Sequence, residues 1–457
     1  MTYKTQIVEL FNNNSMIVME AQQRIKEFPP RVFATLEVAR PSRIWEKAHT
    51  FPISAQDLFH TVNDAPIDWK RVAEIDVPLR LYVHIPWCEE RCTFCRYSID
   101  TREPLDTLVN PYFEALEREL DQYAEKLGRT MISTEVLYIG GGTPSSLSPK
   151  QIGKLFDLLR KRINFVEGSF QIAECSPGTI TRENAQAFRD AGVTRMSMGV
   201  QSLDDTVLRL LRRDHDSETV VKAYHILREV GFPEINLDIM LAVPGQTYAN
   251  FEKTMERSIE LRPSSLSLLD LHLAPRSKLY AEGFQYSFQN NLVMRAIYQA
   301  MLPKAGYQRT RVHYYVRPDE MQHPSTRCPC LDSRVEPGFQ LGIGVSAHSE
   351  LGDTVTINTI NVQHYQKLVN EGRLPIIRAY HLSEEDKIAM KSMRAVMDDL
   401  QISSRPEVLR RYEKEIHFLR EEGLITDDFR LTNDGCLFGS EICFLFYPKE
   451  KHEQINN

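Results

Sequence analysis

Three cysteines, Cys88, Cys92 and Cys95, stand close together at the spacing C-x3-C-x2-C. Thiolates are soft donors that suit zinc, copper(I) or iron–sulfur clusters. A structural zinc site closes with a fourth Cys or His, and none stands here at a zinc-finger spacing. A cubic 4Fe–4S cluster normally takes four cysteines. Three would leave one iron open for a substrate or cofactor. The bland alternative is three core thiols, because free Cys is among the most buried residue types. The β-rich run Arg80–Ile85 precedes the cysteines and stops at Pro86, so they lie on a loop past the C-terminal end of a strand. Downstream, Gly140-Gly141-Gly142 follows a second β-rich run, where backbone without side chains lets amides approach a ligand closely or makes a tight turn. Glu174 ends a third run, a position where a carboxylate is rarely structural filler.

The flank Tyr82-Val83-His84-Ile85-Pro86-Trp87-Cys88, with Phe94 before the last cysteine, resembles the signature of radical S-adenosylmethionine (SAM) enzymes. It is most similar to the branch of oxygen-independent coproporphyrinogen III oxidase and its relatives. The resemblance implies a 4Fe–4S cluster on Cys88, Cys92 and Cys95, with its open iron chelating one SAM. Tyr82 and Phe94 would flank that cofactor. Gly140-Gly141-Gly142-Thr143-Pro144 resembles the family's GGGTP motif, so Gly141 would serve the first SAM, and Gly142 and Thr143 a second. Glu174 matches a carboxylate that contacts the cluster-bound SAM. Gln201, in Ser197-Met198-Gly199-Val200-Gln201, Arg213 on the following helix, and Asp238 match positions that hold a second SAM. That set is chemically apt: Arg clamps a carboxylate bidentately, and Asp pairs an ammonium or ribose hydroxyls. The bland alternative for Arg213 is a surface ion pair. Gly342-Ile343-Gly344-Val345-Ser346-Ala347 is similar to a segment that closes the SAM pocket, with His348 touching the first SAM. His272 is able to act as a proton acceptor, although a lone histidine is more often structural. His313, Tyr314 and Tyr315 are candidates for lining the substrate cavity. Cys328-Pro329-Cys330 would ligate a second metal, shuttle hydrogen atoms and electrons, or be two loop thiols. Cys175 is read as an ordinary thiol, and Cys436 and Cys443 as core.

These residues need a frame. Strand candidates at 80–86, 134–139, 170–174, 195–200, 235–241 and 265–273 alternate with helix candidates at 110–126, 149–162, 182–191, 217–230 and 248–261. That alternation implies right-handed βαβ units and a parallel sheet. The expected class is α/β, a partial (β/α)6 radical SAM barrel with chemistry at the C-terminal strand ends. The expected organisation is an N-terminal extension or lid over 1–78, the barrel over 79–290, a barrel-closing and substrate-pocket segment over 291–378, and a helical, winged-helix-like domain over 379–457. In the extension, 17–28 reads as a helix and 41–66 as loops and short helices. Arg24, Lys26, Arg31, Arg40 and Arg43 read as solvated charges there. Ser383, followed by acidic residues, reads as a helix N-cap. Helices are expected over 384–398 and 406–422, then a hairpin-like pair of short strands over 424–432.

The 457 residues carry a net charge of −7, which argues against nucleic acid as a partner. No apolar run approaches the ~18 residues of a membrane span, and no basic-then-apolar leader opens the chain. Eight cysteines in a long chain of this kind fit a reducing cytoplasm better than a disulfide framework.

Three reactions compete. The oxidases carry a fourth cysteine two residues after the third, where this chain has Tyr97, which counts against coproporphyrinogen III oxidation. Class C radical SAM methyltransferases and related cyclopropanases often carry an aromatic residue there. Methyl or methylene transfer to an sp2 carbon is therefore the preferred reading, with Tyr97 and His272 as the candidate catalytic side chains. The acceptor would be an aromatic, polyketide-derived or tetrapyrrole small molecule, and the electron would come from a flavodoxin- or ferredoxin-type donor. A haem chaperone of the same family is the third reading, and the N-terminal extension speaks against it.

Overall fold

Polar and apolar residues alternate in the central strands, and the alternation sorts the hollow of the sheet from its packed side. In the computed structural model, which describes residues 15–38, 67–75, 77–273, 275–285, 287–320 and 339–447, strands β1 (Leu79–Ile85), β2 (Ile132–Gly141), β3 (Ile163–Cys175), β4 (Arg195–Gln201), β5 (Glu234–Leu241) and β6 (Ser265–Asp270) pair in parallel. Successive side chains of a strand point to opposite faces. Met196, Met198, Val200, Ile235, Leu237, Ile239, Leu266 and Leu268 accordingly enter the apolar core. The intervening Arg195, Ser197, Gly199, Gln201, Asp238, Met240, Ser267 and Leu269 line a cavity. The sequence writes the cavity wall into every second residue.

Six further strands extend this sheet: β7 (Gln308–Arg311), β8 (Tyr314–Val316), β9 (Phe339–Ile343), β10 (His348–Leu351), β11 (Thr354–Asn358) and β12 (Ile376–His381). Their order is β12-β11-β10-β9-β1-β2-β3-β4-β5-β6-β8-β7, so among the described residues the sheet keeps two edges and is a partial, unclosed barrel. The expected helices are Asp106–Lys126, Pro149–Arg160, Arg182–Asp190, Ser217–Val230 and Tyr248–Glu260. Three begin with capping boxes, Ser148/Gln151, Thr181/Asn184 and Thr247/Asn250, in which side chain and backbone satisfy each other's orphan donors. Among the described residues no helix is long and apolar enough to cross a membrane.

Several boundaries differ from the sequence reading. The last barrel strand stops at Asp270 rather than running to 273. A short helix, Asp205–Leu210, intervenes before Arg213, which lies in the turn after it. The helix expected over 406–422 breaks at Tyr412 into Pro406–Arg411 and Glu413–Glu421. The hairpin over 424–432 is reduced to the isolated bridges Ile425–Leu431 and Gln401–Arg430. The C-terminal region is helical, beginning with Glu384–Asp399 under a Ser383/Asp386 capping box. The N-terminal helix Met16–Lys26 ends before Pro29, and Pro30 starts a second one, Pro30–Val38. Proline removes a donor that a first helical turn does not use. Arg24 pairs with Asp434 and Arg31 with Glu422, so these two residues are bound to the C-terminal region rather than freely solvated. None of the described residues of the extension lines the cavity; Arg40, Arg43 and 41–66 lie outside the described residues.

Behind β1, the buried Glu119 carboxylate accepts the Gly344 N–H (2.8 Å), the Asn358 amide (2.8 Å) and the Tyr365 hydroxyl (2.6 Å). Burial pushes this carboxyl up to about 7, and the three donors pull against it. A carboxyl whose folded pKa is raised stabilises the fold fully below its unfolded value, and that contribution is lost as pH rises toward the folded value. Stability should therefore fall between about pH 4.5 and pH 7, on the order of 3 kcal/mol. Glu119→Gln should flatten that slope in urea titrations across this window; an unchanged slope would refute the assignment.

Candidate active site

The cysteine loop is held by backbone hydrogen bonds at its start and its middle. After β1, Cys88 N–H donates to Asp100 O (3.0 Å) and Asp100 N–H to Pro86 O (2.7 Å). In the middle, Thr93 N–H donates to Leu211 O and Thr93 O accepts from Leu279 N–H, each at 3.0 Å. Trp87 is 1% exposed and meets Tyr112 edge-on at 5.3 Å. The glycine turn lies directly on this loop: Gly142 N–H donates to Ile85 O and Thr143 N–H to Trp87 O, both at 2.7 Å. A Cβ on Gly141 (φ +112°) would stand 2.6 Å from the His84 ring, and one on Gly142 would stand 2.5 Å from Trp87 O. The glycines are therefore required for packing turn against loop, not only for the approach of a ligand.

All three thiols line one cavity of about 560 Å³. Cys88 Sγ is 3.3 Å from Thr143 Oγ1, and Cys92 Sγ accepts from Arg213 Nη1 at 3.1 Å. Burial pushes the Cys88 thiol up to about 12 and raises that of Cys95, so metal binding must displace protons here. Among the described residues no three His, Cys, Asp or Glu converge as the ligands of a single ion would. Three thiols facing a common hollow fit a multi-iron cluster better than one zinc ion, which gathers four ligands at one point.

Arg213 lies at the centre of the site, with its side chain 10% exposed. Besides Cys92, it donates from Nη2 to Gly199 O (2.8 Å) and Ser176 Oγ (3.0 Å). Asp214 lies 3.9 Å away. Burial alone would raise Asp214, but its bond to His215 and the Arg213 charge hold it down to about 2. Arg213 is thus not a surface ion pair. Its neighbour Arg212 takes the exposed position, 4.0 Å from Glu90.

Gln201 sits beside it in the left-handed region (φ +65°), next to a register shift between β4 and β5. That conformation costs a non-glycine residue about 1–3 kcal/mol and clusters at functional positions. Gln201 Oε1 is buried with no hydrogen-bond partner, as is Arg213 Nε. Orphaned buried polar atoms on a cavity wall call for a ligand. Asp238 accepts from Asn236 (2.7 Å) and Ser197 (3.2 Å), and burial raises its carboxyl. Glu174 accepts the Tyr138 hydroxyl (2.5 Å) and Gly141 N–H (3.2 Å), which aims it across the glycine turn.

Of the fifteen positions singled out in the sequence, the structure brings Cys88, Cys92, Phe94, Cys95, Tyr97, Gly141, Gly142, Thr143, Glu174, Gln201, Arg213, Asp238 and His272 to this cavity. Tyr97 is at the mouth, 50% exposed, with the Arg96 guanidinium 5.4 Å from its ring. Tyr82 and His348 are not among the lining residues. Tyr82 stacks on Tyr138 at 6.0 Å and bonds His84 Nδ1 at 3.0 Å. His348 lies in β10 opposite Ile357; Gly342 and Ile343 belong to β9, paired alongside β1, and none of 342–347 is among the lining residues. His313 and Tyr314 line the cavity; Tyr315 does not. Cys328 and Cys330 lie outside the described residues. Sequence reading missed Arg195, Ser197, Asp270, Arg311 and, from the helix Glu384–Asp399, Met393, Arg394, Met397 and Asp398. The period-two pattern of β4 carries a signal for Arg195 and Ser197. The helix residues carry none, because only tertiary docking brings them here.

The sequence profile of the radical SAM superfamily matches residues 82–257. The haem chaperone HemW of Bacillus subtilis is 28% identical over 382 residues, covering 79% of this chain and 97% of that protein. The oxygen-independent coproporphyrinogen III oxidase of Salmonella typhimurium is 31% identical over 332 residues, covering 70% of this chain and 72% of that protein. Among solved structures, coproporphyrinogen III oxidase (HemN) from Escherichia coli, a radical SAM enzyme, superposes with a TM-score of 0.74 at 26% identity, covering 88% of this chain and 97% of that one.

Replacing Cys88, Cys92 and Cys95 together by alanine should abolish iron and sulfide uptake on anaerobic reconstitution. The far-ultraviolet circular dichroism should stay that of the folded chain, because the loop is held by backbone bonds that do not involve sulfur. Iron retained at the stoichiometry of the unmodified chain would show that these thiols are not the ligands.

Proposed function

Because the chain belongs to the radical SAM superfamily and, within it, to the HemN-like family, we propose that its cavity holds a 4Fe–4S cluster on Cys88, Cys92 and Cys95 together with two SAM molecules. We further propose that the reaction moves a one-carbon unit from the second SAM to an sp2 carbon of a small-molecule acceptor. The observation supporting this is that the thiols share one hollow with Gln201, Arg213 and Asp238, and that Gln201 presents a buried oxygen without a partner there. When bound, the cluster supplies the electron that cleaves the first SAM into methionine and a 5′-deoxyadenosyl radical.

The protein's part is positioning. Glu174, fixed by Tyr138 and Gly141, offers a carboxylate beside the cysteine loop. Burial raises the Asp238 carboxyl, and a cationic ligand entering beside it would favour its ionised form. Arg213 ties the cysteine loop to the end of β4, so both halves of the site are set by one cation. Holding both SAM molecules in one cavity makes the hydrogen transfer effectively unimolecular, and a hollow closed from water protects the radical from quenching. With both SAM molecules bound, a hydrogen atom would pass from the methyl group of the second to the 5′-deoxyadenosyl radical. The methylene carbon so formed would bond to the acceptor. A second electron, from the same external carrier as the first and taken up by the adduct, would break the carbon–sulfur bond and expel S-adenosylhomocysteine, a proton shift completing a methyl group. The initial electron would come from an external one-electron carrier of flavodoxin or ferredoxin type.

Tyr97 supports this choice among HemN-like reactions, since the oxidase pattern has a cysteine at that place. A second reading, oxidative decarboxylation of coproporphyrinogen III, is favoured by the oxidase relative. The relative named as a haem chaperone supports a third, in which the hollow holds haem.

Anaerobic turnover with reductant, methyl-deuterated SAM and a cell extract as acceptor pool separates these by mass spectrometry. Methylene transfer should place deuterium in 5′-deoxyadenosine, with S-adenosylhomocysteine appearing in step. Unlabelled 5′-deoxyadenosine that rises on adding coproporphyrinogen III, without S-adenosylhomocysteine, would overturn it in favour of the oxidase.

A further inference from the structure

The β7–β8 hairpin serves two cavities. A register shift lies between Arg309 and Arg311, and a bulge of this kind re-aims side chains that would otherwise share a face. Arg311 enters the cavity of the cysteine loop. Arg309 enters a second one, shared with Arg24 of the helix Met16–Lys26 and Gln299 of the helix Phe288–Lys304.

The charges of this second cavity do not balance. Arg24 donates through Nε to Asp434 at 2.9 Å and forms an ion pair with it, and it donates through Nη1 to Gln299 Oε1 at 3.3 Å. Arg309 has no carboxylate partner among the described residues. Its Nε and Nη2 donate to the Tyr315 hydroxyl, Nε at 2.7 Å, and its guanidinium carbon stands 5.2 Å from the Tyr315 ring centre. The titratable groups facing it are the Tyr315 and Tyr298 phenols and the Cys436 thiol. Burial raises all three, so they are neutral near pH 7. A half-buried guanidinium with a neutral partner leaves one uncompensated positive charge.

Gln299 gives an independent observation. It is 9% exposed, and its Nε2 is buried with no hydrogen-bond partner. The Arg24 donation fixes which end of the amide is oxygen, so the orphan is a donor. One unbalanced cation, a guanidinium edge and an orphaned amide N–H line the same hollow. We propose that Arg309, Arg24 and Gln299 form a binding site for a small oxyanion, a carboxylate or phosphate group, separate from the SAM cavity and on the reverse of the hairpin that helps to wall it.

The test is thermal unfolding of the cluster-reconstituted full chain in inorganic phosphate, acetate and chloride at matched ionic strength. Phosphate or acetate should raise Tm saturably by about 2–4 °C, and the anion that does so identifies the class of ligand. Chloride should give no saturable rise. Arg309→Gln should abolish the rise, and Gln299→Met, which leaves both guanidinium groups in place, should weaken half-saturation at least fivefold. If Arg309→Gln fails to fold, Gln299→Met decides. No saturable rise in the unmodified chain, an equal rise with chloride, or rises unchanged in the variants would overturn the proposal.

Discussion

The burial of Arg213 is the interaction on which the site depends. A guanidinium withdrawn from water must be paired and hydrogen-bonded. This one takes its partners from the cysteine loop (Cys92), the end of β3 (Ser176), the end of β4 (Gly199 O) and its own turn (Asp214). Removing one member of a buried charged set leaves the others uncompensated, at about 3–5 kcal/mol. The cation therefore fixes the relative position of three segments that share no sequence proximity. Cys92 and the wall at the end of β4 are consequently not independent, and a change at Arg213 would disturb both.

A second buried cation does comparable work at the other end of the cavity. Arg295 donates to Asp270 (2.5 Å), at the end of β6, and to Glu441 (2.7 Å), on the C-terminal helix Gly439–Leu445. His313 reaches Ser440 on the same helix at 2.5 Å. These bonds seat the C-terminal region against the barrel. Arg311 and Asp398 then pair across the join, where the helix Glu384–Asp399 brings Met393, Arg394 and Met397 to the wall. The barrel supplies the wall that carries the cysteine loop, and the C-terminal region supplies the opposite wall. Under the proposed function, that division would let a common radical-generating half be combined with different acceptors.

The legible parts of the chain were those in which local chemistry is sufficient. The cysteine spacing, the glycine turn and strands that alternate in polarity around a shared hollow each follow from short-range sequence. Four of the six barrel strands fell within two residues of their expected bounds for that reason, while β3 begins at Ile163 rather than 170 and β6 stops at Asp270 rather than 273. What escaped depended on distance in sequence. Nothing local says that residues 393–398 face residues 88–95. The alternative of a surface ion pair for Arg213 rested on Arg212 beside it, and only the short helix Asp205–Leu210, with Arg212 at φ +52°, turns one outward and the other inward. Gly344 follows β9, which pairs alongside β1, and is tied there by Glu119, a bond between residues far apart in sequence that leaves no trace in the neighbouring sequence.

The same geometry explains why the radical step is easier to assign than the reaction. Every group that would hold SAM is fixed by the barrel: Glu174 by Tyr138, Asp238 by Asn236 and Ser197, Gln201 by its strained backbone. The groups that would select an acceptor are not. Tyr97 is half exposed at the mouth, and Arg394 belongs to a helix brought in by docking. In a HemN-like frame the electron and the radical are therefore common property. The fate of the radical is decided by which hydrogen atom the mouth and the far wall leave nearest to it. Where the oxidases carry a cysteine, this chain presents the half-exposed phenol ring of Tyr97 at the mouth, so the two differ at the part of the cavity that the barrel fixes least.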